Sequence, residues 1–281
     1  MAIESNKLSI NKQQSDLQAD KTLISRIKNE LDSIGGLSKF ISPKDTIIIK
    51  PNFNTADPYP GSTDPVFLLS MIELLKSHTS PSNVTLAESS VFHATTNKIM
   101  RNVFQDSFDA IDIPIITEKD FNYKSVDLKQ YGATYIKKVK FPTQITEREA
   151  KLVLLPCLKT HFIAEYTGAL KLAVGFMERT QKMRLHMSRK VPEKVAEINL
   201  GYKPDLVIMD ARKIFVTGGP QKGDIEIPDT IIAGHSRTQV DMDGVDLIKK
   251  FSLDNTKNKI QQYQSSTEVR SIKRALSLNI E

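Results

Sequence analysis

The sequence KLVLLPCLKTHFIAEYTGALK spans residues 151–171 and joins a strand-like run to an unusual group of polar residues. Residues 151–155 are apolar after the first lysine and are closed by Pro156, a pattern typical of a strand buried on both faces of a parallel sheet. Lys159, His161 and Lys171 follow that strand directly. A strand end that leads into ordinary packing does not need two lysines and a histidine. We therefore predict that the segment from Lys159 to His186 is a polar functional site.

Similar short apolar runs occur along the chain and alternate with helical patterns. Strands are predicted at residues 46–50, 83–87, 114–117, 151–155, 205–209 and 230–233, and helices at residues 21–34, 97–104 and 243–251. A further helix is predicted after Asp64, which would cap it, with Pro65 in its first turn. Residues 123–141 alternate in hydrophobicity and predict a hairpin. Together these patterns predict an α/β fold with a mainly parallel sheet, helices on both faces and a small antiparallel element.

The length and composition restrict the class of protein. The 281 residues predict a flexible tail at residues 1–20, a single α/β domain over residues 21–252 and a peripheral C-terminal segment over residues 253–281. No run of about 18 apolar residues occurs, and the N-terminus lacks the apolar core of a secretory signal. Cys157 is the only cysteine, which excludes an internal disulfide and a cysteine-ligated iron–sulfur cluster. We expect a cytoplasmic protein with no membrane partner.

The charge of the chain and its distribution favour a small-molecule partner. The formal net charge is +6, but the lysines and arginines are spread along the chain. The densest basic groups also lack the interleaved aromatic residues that stack on bases, which argues against nucleic-acid binding. A basic surface of this kind favours a small anionic ligand.

The loops after the predicted strands are expected to meet at one site, because ligands of parallel sheets lie beyond the carboxyl ends of the strands. These loops cover residues 50–63, 88–96, 157–171 and 210–219. Backbone N–H groups near Gly168 could approach an anion at the start of the next helix. The predicted substrate-binding residues are Lys50, Asn52, Lys159, Thr167, Gly168 and Asp210. Asp210 could equally cap the next turn, and Asp241 with Asp243 could bind a cation or cap a helix.

Three of the five histidines, His93, His161 and His186, lie on or soon after these loops. Imidazole transfers protons near neutral pH and also binds metals, and a sheltered lysine such as Lys171 can act as a nucleophile. The sequence has no closely spaced metal-ligand motif, P-loop, dinucleotide fingerprint or hydrolase nucleophile elbow. We therefore predict His93, His161 and His186 as acid/base or ligand groups and Lys171 as a nucleophile or anion anchor. Any metal would need ligands from distant segments or from an organic cofactor.

These motifs resemble the family known as domain of unknown function 362. The matching stretches are IKPNFN (49–54), STDP (62–65), LKTH (158–161), TGALK with a glycine four residues on (167–175), LVIMDA (206–211) and IIAGHSRTQVDMDG (231–244). The resemblance spans about residues 45–250, and LKTH with TGALK is its specific part. It implies no assigned activity. Many relatives carry additional cysteine-rich ferredoxin segments, which this chain lacks.

A more remote resemblance is to the nickel-pincer lactate racemase family. His161 precedes Lys171 by ten residues and His186 follows it by fifteen, which is similar to the spacing in that family. The resemblance implies a nickel-pincer nucleotide held by the lysine, nickel ligation by the later histidine, and proton transfer by His93 and His161. The chain departs from the family's pattern, since the arginine of the racemase turn is replaced and Thr63–Asp64 puts an acid near its position, and the His186 spacing differs by one.

Two classes of function remain open. One is an enzyme, of isomerase or oxidoreductase type, that moves a proton or hydride on a small carboxylate substrate. The other is a non-catalytic binding or accessory protein that uses the same pocket. In either case we expect His93, His161, Lys171 and His186 to converge, with Lys50 and Asn52 lining the same pocket.

Overall fold

The computed structural model of the chain describes residues 17–90, 95–251 and 259–281. Within these residues the strands are β1 (Ile47–Lys50), β2 (Val84–Ala87), β3 (Ile115–Ile116), β4 (Tyr123–Asp127), β5 (Lys138–Pro142), β6 (Lys151–Leu154), β7 (Cys157–His161), β8 (Glu165–Thr167), β9 (Leu206–Phe215), β10 (Ile225–Glu226) and β11 (Thr230–Gly234). The α-helices are α1 (Lys21–Ser33), α2 (Pro65–His78), α3 (Thr96–Phe104), α4 (Thr143–Thr146), α5 (Ala169–Leu172), α6 (Arg179–His186), α7 (Val191–Ile198), α8 (Arg237–Phe251) and α9 (Arg270–Ser277).

The main sheet is mixed but mostly parallel, as predicted. β3, β2, β1, β6 and β9 are parallel neighbours in that order. β7 continues beyond Pro156 and pairs in parallel with the later part of β9, while β8 folds back against β7. β10 and β11 pair antiparallel with β9. β4 and β5 form the separate antiparallel pair predicted for residues 123–141.

Alternate side chains of β1 are buried against the helices on opposite faces of the sheet. Ile47 and Ile49 of β1 pack in one core with α1, α2 and α3, whereas Ile48 packs in a second core with α5, α7 and α8. This alternation follows from the two-residue period of a strand. The predicted helices on both faces are therefore confirmed.

Local capping explains where several helices begin. The Asp20 carboxylate accepts the Thr22 amide at 2.7 Å and so starts α1. Asp64 accepts the Val66 amide at 3.1 Å, with Pro65 in the first turn of α2, as the sequence predicted. At the other end of the chain, α9 packs against α7 and α8, and Ile272 and Ala275 are fully buried there.

Two local predictions were wrong. Residues 157–161 form a strand rather than a loop, because β9 runs on to Phe215 and offers them a pairing edge past its predicted end at residue 209. Helix α8 begins at Arg237, six residues before the predicted start at 243.

Candidate functional site

A polar cleft lies beyond the carboxyl ends of β1, β2 and β7, and Lys171 stands in its wall. Three cavities meet there, and Lys171 and Asn54 line all of them. The largest has a volume of about 440 Å³. The predicted site residues that line one or more of the cavities are Lys50, Asn52, Lys159, His161, Thr167, Lys171 and His186. The structure thus brings together seven predicted residues that span 137 positions of the chain, from residue 50 to residue 186.

Lys50 is buried at the end of β1 and is held by the protein itself. Its ammonium donates to the Glu88 carboxylate and to the Pro51 carbonyl oxygen at 2.7 Å. Glu88 also accepts the backbone amides of Phe53 and Ser89, each at 2.7 Å. The carboxylate therefore organises two loops and neutralises Lys50 at the edge of the cleft.

Lys159 is held in a similar way, although by neutral acceptors. Its ammonium donates to the carbonyl oxygens of Pro60 at 2.8 Å and Gly61 at 2.6 Å. Burial lowers its pKa. Asn52 supports the same loop, because its backbone and Thr63 exchange hydrogen bonds at 2.8 and 3.0 Å. Lys159 and Asn52 therefore both stabilise the wall of the cleft formed by residues 52–63.

Lys182 on α6 is a buried lysine that the sequence did not single out. Its ammonium donates to the carbonyl oxygen of Ser89 at 2.9 Å and to the Ser89 hydroxyl. Burial, followed by repulsion from Lys50, lowers its pKa to about 7. Since Ser89 lines the cleft, Lys182 adds positive charge just behind the cleft wall.

Lys171 differs from these three lysines. Among the residues that the structure describes, its ammonium makes no hydrogen bond or ion pair. The two acidic residues nearest to Lys171 in the sequence have other partners. Glu165 accepts the Tyr263 hydroxyl at 2.8 Å, and Glu178 lies 3.6 Å from Lys140. Burial and then the charge on Lys159 lower the pKa of Lys171 to about 8. The ammonium is thus turned towards the cleft without a counter-charge from the described chain.

His161 lies at the end of β7 with a defined tautomer. Its Nδ1 accepts the backbone amides of Ile163 at 3.1 Å and Ala164 at 3.2 Å. A ring nitrogen that accepts cannot carry the proton, so the neutral ring carries its proton on Nε2. Burial, together with the charges of Lys171 and Lys159, lowers the pKa of His161. His161 is therefore a neutral ring whose N–H can donate a hydrogen bond.

His186, at the C-terminal end of α6, has the opposite arrangement. Its Nδ1 lies 2.8 Å from the Lys182 carbonyl oxygen, which can only accept, so Nδ1 carries the proton. In the neutral ring the lone pair is then on Nε2. Burial is the main cause of its lowered pKa, and the charge of Lys171 contributes. The two histidines of the largest cavity are both neutral rings with opposite tautomers.

The positions of Thr167, Lys171 and Gly175 explain the TGALK motif and the glycine that follows it. Thr167 is only 3% exposed, lines two of the cavities, and its hydroxyl has no hydrogen-bond partner in the described structure. Gly175 leaves room for Lys50, because a β-carbon there would lie 2.7 Å from Lys50 Cε. The motif therefore places Thr167 and Lys171 in the cleft and lets Lys50 pass beside them.

The Asp241 carboxylate of α8 explains why residue 168 is a glycine. The Asp241 carboxylate accepts the amides of Ala169 and, at 3.0 Å, Leu170, and also the Tyr166 hydroxyl at 2.8 Å. A protein carboxylate thus occupies the start of α5, where an external anion was expected. Gly168 does not line the cleft cavities, and Asp241 neither pairs with Asp243 nor begins a helix.

Replacing Gly168 with alanine is expected to lower the free energy of unfolding by about 2–4 kcal/mol. The new β-carbon would lie 2.3 Å from Asp241 Oδ1, so the carboxylate would have to move and lose its bonds to α5. Urea unfolding measures the change. In an Asp241→Ala background the same glycine substitution should cost less than about 1 kcal/mol. Equal costs in the two backgrounds would contradict this role for Asp241.

Asp210 lies within β9 and is also satisfied by the protein. It accepts the Tyr59 hydroxyl at 2.7 Å and two bonds from the Arg212 guanidinium at 2.9 and 2.7 Å. Arg212 also binds Asp64 at 2.6 Å. Asp210 lines none of the three cleft cavities and instead ties the residue 59–64 loop to β9. His93 lies outside the described residues.

Comparison with known proteins identifies the family. The model of the family described as domain of unknown function, DUF362, matches residues 47–246. The chain belongs to the DUF362 family. This match confirms the first resemblance, and it covers every cleft residue from Lys50 to His186.

Other similarities are more distant. The chain is 23% identical over 211 residues to a thylakoid-associated protein of Synechocystis sp., which covers 72% of this chain and 63% of that protein. The chain therefore spans less than two thirds of that relative's length. A crystal structure of a Thermotoga maritima protein overlaps 81% of this chain and 59% of its own, with a TM-score of 0.50 and 9% identity. A likeness at that identity shows the α/β fold alone.

The racemase resemblance implies a nickel site, for which His, Cys, Asp and Glu side chains would be the donors. Over residues 17–90, 95–251 and 259–281, no group of three His, Cys, Asp or Glu side chains is placed to hold a metal ion. His161 Nδ1 is already engaged by two backbone amides. Neither observation tests the predicted ligation by His186 together with a cofactor, so the nickel-pincer cofactor stays a prediction.

Proposed function

We propose that the cleft binds a small organic anion with a carboxylate group, and that the Lys171 ammonium anchors it. The observation that carries this proposal is the contrast among the lysines. Lys50 and Lys159 are held by Glu88 and by carbonyl oxygens, whereas Lys171 has no such acceptor among the described residues. An enclosed charge without a partner is costly, and an anionic ligand removes that cost.

The charge balance around the cleft supports the proposal. Lys50, Lys159, Lys171 and Lys182 lie at or just behind its wall, and Glu88 is the carboxylate that pairs directly with one of them. Burial lowers the pKa of all four lysines. A bound anion would oppose this lowering, because it stabilises the protonated forms.

The neutral hydrogen-bond donors and the apolar residues that line the cleft favour an organic ligand. The unpartnered Thr167 hydroxyl and the Nε2–H of His161 are donors suited to carboxylate oxygens. Ile99, Phe162 and Ile163 add apolar surface to the largest cavity. A site with a few polar groups on apolar walls is typical of small-molecule pockets. We therefore propose a short organic acid rather than an inorganic anion.

Calorimetric titration with L-lactate, a minimal 2-hydroxy acid, tests the proposal, with sodium sulfate as the inorganic comparison. We expect saturable one-site binding of lactate that is stronger than that of sulfate. If neither anion binds, or if sulfate binds more tightly, the proposed ligand class is wrong.

The binding of L-lactate is expected to weaken as the pH rises through about 8. The charged form of Lys171 binds the anion, and its pKa in the free protein is about 8. The dissociation constant should therefore be flat below that pH and rise by up to about tenfold per pH unit beyond it. Calorimetry at constant ionic strength from pH 6.5 to 9.5 measures the profile. A dissociation constant that stays constant up to pH 9.5 would exclude Lys171 as the anchor.

No helix in the described part of the chain is long and apolar enough to cross a membrane. We keep a cytoplasmic location as part of the proposal. It is supported by the sequence, which has a single cysteine and therefore no internal disulfide.

A further inference from the structure

We propose that Lys171 is also a carbonyl-reactive lysine, which forms an imine with a 2-oxo acid bound in the cleft. This inference rests on the proposed anion site, because the carboxylate of the oxo acid is what brings its carbonyl carbon to the amine. It goes further by assigning a covalent reaction and a substrate class to the site.

The first support is geometric. An amine can attack a carbonyl carbon only in its neutral form and only where it can reach a bound ligand. The ammonium of Lys159 is fixed by two backbone carbonyl oxygens. Lys182 is held by Ser89 and lines none of the three cavities, so its lowered pKa does not bring it to a ligand. Lys171 lines all three cavities and has no such acceptor among the described residues. It is therefore the lysine of the cleft that is placed to react with a ligand.

The second support is electrostatic. Burial and the nearby charge of Lys159 lower the pKa of Lys171 to about 8. In the free protein about one tenth of the side chain is then neutral near pH 7, far more than for an ordinary lysine. A bound carboxylate lowers this fraction, and the form that attacks is the Lys171 amine that has given up its proton. A neighbouring cation that lowers the pKa of a reactive lysine is a known way to activate an amine for imine formation.

The proposed step balances without any further reactant. The Lys171 nitrogen attacks the carbonyl carbon, and the carbonyl electron pair moves to oxygen, which gains a proton as the nitrogen loses one. The carbinolamine nitrogen then gives its remaining proton, through solvent, to the hydroxyl group, which leaves as water as the carbon–oxygen bond breaks. The nitrogen electron pair forms the carbon–nitrogen double bond. No atom changes its overall oxidation state, so neither an oxidant nor a reductant is needed.

The surroundings of Lys171 suit a 2-oxo acid. The Thr167 hydroxyl and the His161 Nε2–H can hold the carboxylate or the former carbonyl oxygen. Phe162 and Ile163 offer an apolar surface for a short side chain. In a 2-oxo acid the carboxylate adjoins the carbonyl carbon, so one small region can bind one group and react with the other.

Reductive trapping tests this inference. The intact protein is incubated with pyruvate and sodium cyanoborohydride, which converts an imine into a stable secondary amine, and is then analysed by intact mass and peptide mapping. We expect one adduct per chain on Lys171, none on the fully buried Lys182, and no rapid formation of an adduct in Lys171→Met. L-lactate, which lacks the carbonyl group, should slow the trapping by competition.

The outcomes separate this inference from the proposed function. If L-lactate binds in a Lys171-dependent way but pyruvate leaves no adduct on Lys171, the imine is excluded and the anion site stands. If labelling spreads over exposed lysines at the same rate in wild type and Lys171→Met, the inference is also overturned. If neither acid binds, both proposals fail.

Discussion

Replacing Lys171 with methionine is expected to weaken the binding of L-lactate strongly while leaving the fold intact. The ammonium is the proposed anchor, and a hydrogen bond to a charged group contributes about 1.5–3 kcal/mol, so affinity should fall roughly 10- to 100-fold. The same change removes an enclosed charge that has no partner among the described residues. The free energy of unfolding should therefore stay within about 1 kcal/mol of wild type or increase.

Calorimetry and urea unfolding on the same preparation measure both effects. Lys124→Met is a matched control, because Lys124 lies on β4, is 57% exposed and pairs with the exposed Glu147. The control should bind L-lactate as the wild type does. A large loss of stability in Lys171→Met with binding preserved would mean that Lys171 has a structural role instead.

Replacing Glu88 with glutamine is expected to lower the free energy of unfolding by about 3–5 kcal/mol. The change leaves the buried Lys50 ammonium without its counter-charge and breaks at least one bond to the Phe53 or Ser89 amides. Both side chains of the ion pair are at most 2% exposed, so water cannot compensate. Urea unfolding measures the loss.

The exposed pair between Lys124 and Glu147 gives the comparison. Glu147→Gln should cost less than about 1 kcal/mol, because that pair is screened by solvent. Adding Lys50→Met to Glu88→Gln should recover part of the lost stability, since the double variant buries no unpaired charge. A cost for Glu88→Gln as small as that for Glu147→Gln would show that the buried pair does not organise the cleft.

Much of the cleft could be predicted from the sequence because its residues follow apolar strands. Lys50 ends β1 and residues 157–171 follow β6, which is the parallel neighbour of β1. The carboxyl ends of parallel strands meet at one edge of a sheet. The strands themselves were recognisable as short apolar runs. The prediction that these segments converge therefore needed only the fold class.

What could not be predicted depends on contacts between distant segments. The polar residues of β9, such as Asp210 and Arg212, suggested a loop, yet their mutual pairing keeps them within an extended strand. Asp241 was read near a helix start, but it reaches across to α5, more than seventy residues away in the chain. Such pairings are set by tertiary packing and leave no periodic pattern.

Glu88 and Lys182 were missed as site residues for related reasons. Glu88 directly follows β2, and that position was a usable signal, but nothing local reveals that it pairs with Lys50. Lys182 lies in a polar helical stretch that resembles a solvated face. The tautomers of the histidines likewise depend on backbone groups that only the folded chain presents. The catalytic roles predicted for His93 and His161, and the metal role of His186, stay predictions.

The most direct test of the anion site is the pKa of the Lys171 side chain itself, measured by NMR on protein with labelled lysine, with Lys171→Met to assign the signal. We predict a pKa of about 8 in the free protein and a clear rise when L-lactate is added, because a bound carboxylate stabilises the ammonium. A pKa that remains at the ordinary lysine value, unchanged by lactate, would contradict the proposal that Lys171 anchors an anion in the cleft.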